Sequence, residues 1–313
     1  MGGPLAMRFG CHLPVYGPAA TRDTLVGFAR RAEALGYDSL WASDHVVLPW
    51  RIASRYPYNA TGDFPLPPAT DFLEPLTALA LVAGVTERAA LGTTVLVLPH
   101  RHPLLAAKML ATLDHLAPGR VILGAGVGWM REEIEILGAP FDERGAWSDE
   151  AIRIMRACWR EERTSFQGRF FSFEAIGCFP KPTRGDIPIW MGGHAKPALR
   201  RIVALADGWH AAFPTAQEME AGITLLKQEC ADQGRPFEDL TITLRAGLSI
   251  RESRGGPDRR ALQGTVEQIV GDLRQFKALG VRHVLMEARY RDLDDMVQIF
   301  RTFARDIRPQ VAD

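Results

Sequence analysis

Apolar residues follow two rhythms that alternate along the chain. Short runs of near-continuous hydrophobicity, such as Val121-Ile122-Leu123, predict strands buried on both faces. Between them, apolar positions fall at helical spacing, as at Leu25, Phe28, Ala29, Ala32 and Leu35. Strands are predicted over 7–13, 39–41, 89–98, 121–123, 187–191, 208–211, 241–250 and 281–286. Each is followed by helical pattern: 24–35, 75–86, 103–116, 131–137 with 147–160, 197–205, 217–229, 266–279 and 293–303. Punctuation agrees with this division. Pro14 ends the first strand, Thr21 or Asp23 caps the first helix, and Gly36 and Gly280 stop helices.

This repeated strand–helix order predicts an α/β protein, a (β/α)8 TIM-like barrel in a single domain over residues 7–309, after a loose leader at 1–6. The competing open, doubly wound sheet places its glycine-rich turn after strand one more often, and there the chain reads Pro14-Val15-Tyr16-Gly17. Two segments interrupt the rhythm. Residues 46–71 carry Pro49, Pro57, Pro65, Pro67 and Pro68 among Trp50, Tyr56, Tyr58 and Phe64, a composition that predicts a packed lid loop. Residues 161–186 are predicted irregular, an aromatic insertion before strand five.

Charge and cysteine usage narrow the function. Lys+Arg and Asp+Glu both number 37, so the chain lacks the basic surplus of a nucleic-acid binder. No apolar run approaches membrane-spanning length and no signal-peptide pattern opens the chain, so no membrane partner is expected. Cys11, Cys158, Cys178 and Cys230 are scattered, without a CxxC pair, which points to a cytoplasmic protein with reduced thiols.

Candidate chemistry gathers where barrel strands end, the face on which such folds place their sites. Cys11, His12 and Pro14 end strand one, and Asp44-His45 follow strand two. Leu98-Pro99-His100 end strand three, Gly126–Trp129 end strand four, and Gly192-Gly193-His194 end strand five. Arg245 and Ser249 lie late in strand seven, and Glu287 ends strand eight. His12, His45, His100 and His194 have no HxH or HExxH spacing, so no metal is expected. No nucleophile-elbow pattern supports serine hydrolysis. Glycines at two strand ends, one leading into a helix start, point to a broad organic group carrying a phosphate. The dinucleotide fingerprint itself fails, because Arg131 stands where its third glycine belongs.

Four stretches carry a family resemblance: EALGYDSLWASDHVVLP (33–49), TERAALGTTVLVLPHRHPLLAAKMLATLDHLAPGRVILGAGVGWMREEIEILG (86–138), FDERGAWSDE (141–150) and IPIWMGGHAKPALRRIVALADGW (187–209). Together they resemble the luciferase-like monooxygenase superfamily, in its branch that uses the deazaflavin coenzyme F420. The resemblance implies an F420-dependent oxidoreductase that transfers a hydride between the deazaflavin C5 and a small organic substrate, and a homodimer. It implies a non-proline cis peptide at Thr94–Val95, in a bulge behind the ring. Gly126, Val127, Gly128 and Trp129 match the turn that lines the ring, while Met191, Gly192, Gly193 and His194 match the turn at the cofactor phosphate. Asp44 and His45 match the segment that reaches the cofactor, with His45 as the catalytic proton carrier. Where F420-dependent glucose-6-phosphate dehydrogenases carry a glutamate acid, this chain has Trp129. That departure argues against sugar phosphate oxidation, leaves the acid unassigned and makes Trp129 an apolar substrate wall. The alternatives are an FMN-dependent monooxygenase of the same fold and a non-catalytic binding barrel.

Overall fold

The first strand, β1 (Arg8–His12), is buried from Phe9 onward and pairs in parallel with strands from both ends of the chain. The computed structural model describes residues 6–256 and 258–311, so the predicted leader lies outside the described residues apart from Ala6. After β1 come α1 (Arg22–Ala34), β2 (Ser39–Ala42), α2 (Pro75–Ala83), β3 (Ala90–Thr93), β4 (Leu96–Val97) and α3 (Pro103–Leu116). Then follow β5 (Val121–Gly126), α4 (Arg131–Ile136), α5 (Arg144–Arg160), β6 (Thr164–Gln167), β7 (Ser172–Ile176), β8 (Ile189–Met191) and α6 (Lys196–Leu205). The chain ends with β9 (Gly208–Ala212), α7 (Ala216–Gln233), β10 (Thr241–Ile250), β11 (Gln263–Gly264), α8 (Val266–Ala278), β12 (His283–Ala288) and α9 (Leu293–Thr302).

Parallel pairing runs β1–β2–β3–β5–β8–β9–β10–β12 and returns to β1, closing an eight-stranded barrel with the helices outside. Helix starts follow local chemistry. The Thr21 side chain accepts the Thr24 N–H, and Thr215 and Thr265 form capping boxes with Glu218 and Gln268. Inside the barrel, Trp41 stacks on Trp190 at 5.5 Å and on His210 at 5.3 Å. His283 meets the Ser39 hydroxyl at 2.7 Å. Burial pushes both His210 and His283 down to about 3, so these imidazoles are neutral packing and hydrogen-bonding groups.

Two expectations need revision. The strand predicted over 89–98 is divided into β3 and β4 at the Thr94–Val95 peptide, which is cis as the resemblance implied, and the chain bulges there before re-pairing Leu96 with Ala125. The segment 161–186 is not irregular throughout. It carries the antiparallel β6–β7 hairpin, whose turn is held by Glu150 accepting the Arg169, Phe170 and Phe171 N–H groups. Its apolar alternation is carried by widely spaced phenylalanines, of which Phe166 and Phe173 stack across the pair. Beyond the charged loop after β10, a further two-residue strand, β11, pairs with Ser249-Ile250.

Candidate active site

The bulge between β3 and β4 explains the glycine run that follows Leu123. A Cβ on Gly124 would stand 1.8 Å from the Thr93 carbonyl oxygen, and one on Gly126 would stand 2.5 Å from Val95 Cγ2. The close approach that these glycines permit is therefore to the protein's own bulged strand. Val95 is the common neighbour, because Gly192 at the end of β8 lies against its other methyl. Thr94 is tied on both sides. Its hydroxyl meets His210 Nε2 at 3.0 Å, and its carbonyl accepts from Arg245 Nη1 at 2.7 Å. The ends of β3, β5, β8 and β10 thus converge on one mouth.

His45 stands at one side of this mouth. Its Nδ1 lies 2.6 Å from Glu133 Oε2, with the histidine side chain 13% exposed and the glutamate 0%. The other Glu133 oxygen accepts the Val46 and Val47 N–H groups, so the carboxylate is buried with every bond supplied by N–H donors. His45 Nε2 makes no hydrogen bond among the described residues, and its ring packs against Phe64 and Phe72, with Trp129 beyond at 6.4 Å. The lid loop supplies Tyr56 and Phe64 to the same aromatic cluster, each in contact with Trp129.

Asp44, next to His45, is spent on the protein. Arg101 grips both its oxygens at 2.7 and 2.9 Å, and Oδ2 also accepts the Val97 N–H. Burial opposes its ionisation, but His100 and Arg101 outweigh that and hold the carboxyl well below the usual range. Asp44 thereby pins the start of the lid loop to β4.

A second cluster shares the Phe72 ring with His45, through Tyr16. Tyr16 donates to Glu287 Oε1 at 2.5 Å, Arg245 donates to Glu287 Oε2 at 2.7 Å, and His12 Nε2 meets Ser43 Oγ at 2.6 Å. Burial works against Glu287, yet Arg245 holds it down to about 2. Burial and the Glu287 charge raise Tyr16, and burial lowers His12 to about 4. Arg245 lies over the Phe213 ring at 5.1 Å, and its Nε is buried without a partner.

On the β8 side, Met191 is buried at the strand end and Gly193 adopts φ +122. A Cβ there would meet Ala198 Cβ at 2.6 Å, so a glycine lets the turn sit close to α6. The Gly193 carbonyl accepts from the Trp209 indole, and His194 Nε2 lies 3.1 Å from the Ala212 carbonyl. α6 begins without a side-chain cap; Pro197 has no N–H and the Ala198 and Leu199 N–H groups are bonded to the Ala195 carbonyl, which leaves the Lys196 N–H as the leading donor of this helix. Val127 packs partly buried on the core between Gly126 and Gly128. Among the described residues no three His, Cys, Asp or Glu side chains gather to hold a metal ion. A cavity of about 450 Å³ beside Thr215, Arg254, Gly256 and Gln268 contains none of the strand-end residues.

A model of the luciferase-like monooxygenase family matches residues 7–255. The chain belongs to that family. One relative is an uncharacterized protein of Mycobacterium tuberculosis, 35% identical over 268 residues, 85% of this chain and 89% of the relative. Another is an F420-dependent glucose-6-phosphate dehydrogenase of Kineococcus radiotolerans, 29% identical over 257 residues, 80% of this chain and 70% of the relative. The solved structure of an F420-dependent secondary alcohol dehydrogenase, in complex with an F420-acetone adduct, shares the fold with a TM-score of 0.77 at 17% identity. It covers 99% of this chain and 100% of that one.

Sequence reasoning left the partner of His45 unassigned. Glu133 carried a signal, since it falls on the apolar face of its helix with Met130 and Ile134, where an ionisable side chain needs a buried partner. Arg245 and Glu287 were visible as strand-end residues, but nothing local paired them. Tyr16 looked like part of a turn.

Proposed function

We propose that the protein is an oxidoreductase that takes coenzyme F420 at this mouth and transfers a hydride between the deazaflavin and a small organic substrate. FMN is the alternative cofactor. When bound, the deazaflavin supplies a carbon, C5, that carries the hydride. The observation that carries this reading is His45, an imidazole with one nitrogen fixed by a buried carboxylate and the other unpaired beside an aromatic wall.

The donor set fits a ring with a phosphate. The uncapped start of α6, with Gly192, Gly193 and His194, suits an anion, and the unpartnered Arg245 Nε is a buried donor near the mouth. Gly126, Val127, Gly128, Trp129, Thr94, Val95 and Met191 would border the ring. The Kineococcus relative's named cofactor supports F420.

Within this reading each side chain has a task. Glu133 holds the His45 Nδ1 proton and so fixes the tautomer that leaves Nε2 to receive or deliver the substrate's proton. Phe64, Phe72 and Trp129 exclude water and favour an apolar substrate. Asp44 keeps its place as the anchor of the lid loop. The protein acts as a homodimer of single-domain barrels, and sedimentation as a monomer at micromolar concentration would overturn that part.

Parallel titrations with oxidised F420 and with FMN, followed by absorbance and fluorescence, test the cofactor. Selective F420 binding is expected. Selective FMN binding with flavin-dependent oxygen consumption would replace this reading with a flavin monooxygenase.

A further inference from the structure

His100, in the turn Leu98–His100 after β4, is 7% exposed and lies between two fully buried carboxylates. Its Nδ1 is 3.8 Å from Asp44 Oδ2, and its Nε2 is 3.7 Å from Glu133 Oε2, the oxygen that meets His45. Nδ1 has no hydrogen-bond partner. A neutral imidazole has one N–H and one lone pair. In either tautomer the lone pair would face a carboxylate oxygen less than 4 Å away, which is repulsive. Only the doubly protonated ring presents a positive N–H to both sides.

The surrounding charges leave room for that cation. Arg101 is the guanidinium beside it, and it is shared between Asp44 and Glu74. Arg144, in the first turn of α5, is engaged with the Gly128 and Phe141 carbonyls. Around Glu133 the remaining partners are His45 and two backbone amides, so among the described residues no guanidinium or ammonium pairs with this carboxylate.

We propose that His100 is a buried imidazolium that balances Glu133, a positioning residue keeping this carboxylate ionised and the His45 tautomer fixed. Its catalytic consequence rests on the reading of His45 given above, but its charge state does not. As a cation behind Glu133, His100 lowers the affinity of His45 for a proton.

Ring ¹⁵N spectra of the histidine-labelled, cofactor-free protein test the charge directly. The His100 resonances are assigned by their absence from His100→Gln or, should that variant not fold, through backbone connectivities. Both nitrogens are expected at imidazolium shifts from pH 6 to 8. A neutral single tautomer at pH 7 would overturn the proposal. In His100→Gln, which removes the cation and keeps an amide, the His45 titration is expected to move up by about one pH unit. An unmoved His45 titration would remove the positioning role. Neither readout depends on turnover, so failure of the F420 reading would leave both intact.

Discussion

His45 and Tyr16 flank the same ring, Phe72, at 5.3 and 5.4 Å, and each is held by a carboxylate, yet the two pairs are built for different work. Glu133 is wholly buried and receives only N–H groups, while its histidine keeps a nitrogen free. Glu287 is bonded by a phenol and a guanidinium, and the guanidinium is tied onward to Thr94 and Ser43. One pair leaves an imidazole nitrogen without a hydrogen bond among the described residues. The other locks its charges, with Glu287 held down to about 2 and Tyr16 raised. The difference teaches that a buried carboxylate of this mouth either orients a neighbouring imidazole or is taken up by a phenol and a guanidinium, according to the partners that the fold brings to it.

The largest expected effect breaks the first pair. His45→Ala is expected to lower kcat by about 10²–10⁴-fold, the usual contribution of a positioned acid–base group, while cofactor Kd and Tm stay near wild type. Unchanged kcat across a substrate panel would make both pairs scaffolds. Breaking the second pair acts on stability. Arg245→Met leaves Glu287 largely buried without its cation and is expected to cost about 3 kcal/mol in denaturant unfolding, part of which Glu287→Gln restores in the double variant. Equal stability in all three proteins would place this pair outside the scaffold.

Acid sharpens the contrast. His12 is lowered to about 4, His210 and His283 to about 3, and Glu287 to about 2, all below their ordinary values. Between about pH 6.5 and pH 3 the unfolded chain therefore binds more protons on these histidines than the native barrel does. Glu287 adds the same sign from about 4.5 downward. Stability should be complete above about pH 6.5 and fall progressively on acidification. A flat unfolding free energy from pH 7.5 to 4.5 would contradict neutral interior histidines.

Gly193→Val probes the β8 end of the mouth. The branched side chain meets Ala198 at a backbone conformation suited to glycine, so the turn before α6 must shift. Cofactor Kd is expected to rise about tenfold, or 1.4 kcal/mol, by titration, and an unchanged Kd would put the phosphate elsewhere. The smallest effect is expected from Tyr16→Phe, about 1 kcal/mol of stability for one lost hydrogen bond, read from the urea midpoint.

The barrel was legible because its signal is local. Alternation of short apolar runs with helical spacing follows from backbone geometry, and it located each of the barrel strands within a few residues. It missed the β6–β7 hairpin, where phenylalanines alternate with polar residues over too few positions to stand out. Strand-end placement also brought His45, Gly126, Trp129 and Gly193 to notice without any knowledge of contacts.

What the chain determined alone was therefore the order of elements and the face on which chemistry would collect. Only the closed barrel decided partners. Glu133 meets His45 across 88 positions, and Tyr16 meets Glu287 across 271. Spacing along the backbone says nothing about such pairs, because they depend on which strand ends and loops the closed barrel brings side by side. The glycines make the same point in reverse: their sequence signalled room for a ligand, while tertiary packing shows that Gly124 and Gly126 make room for the bulge at Thr93–Val95.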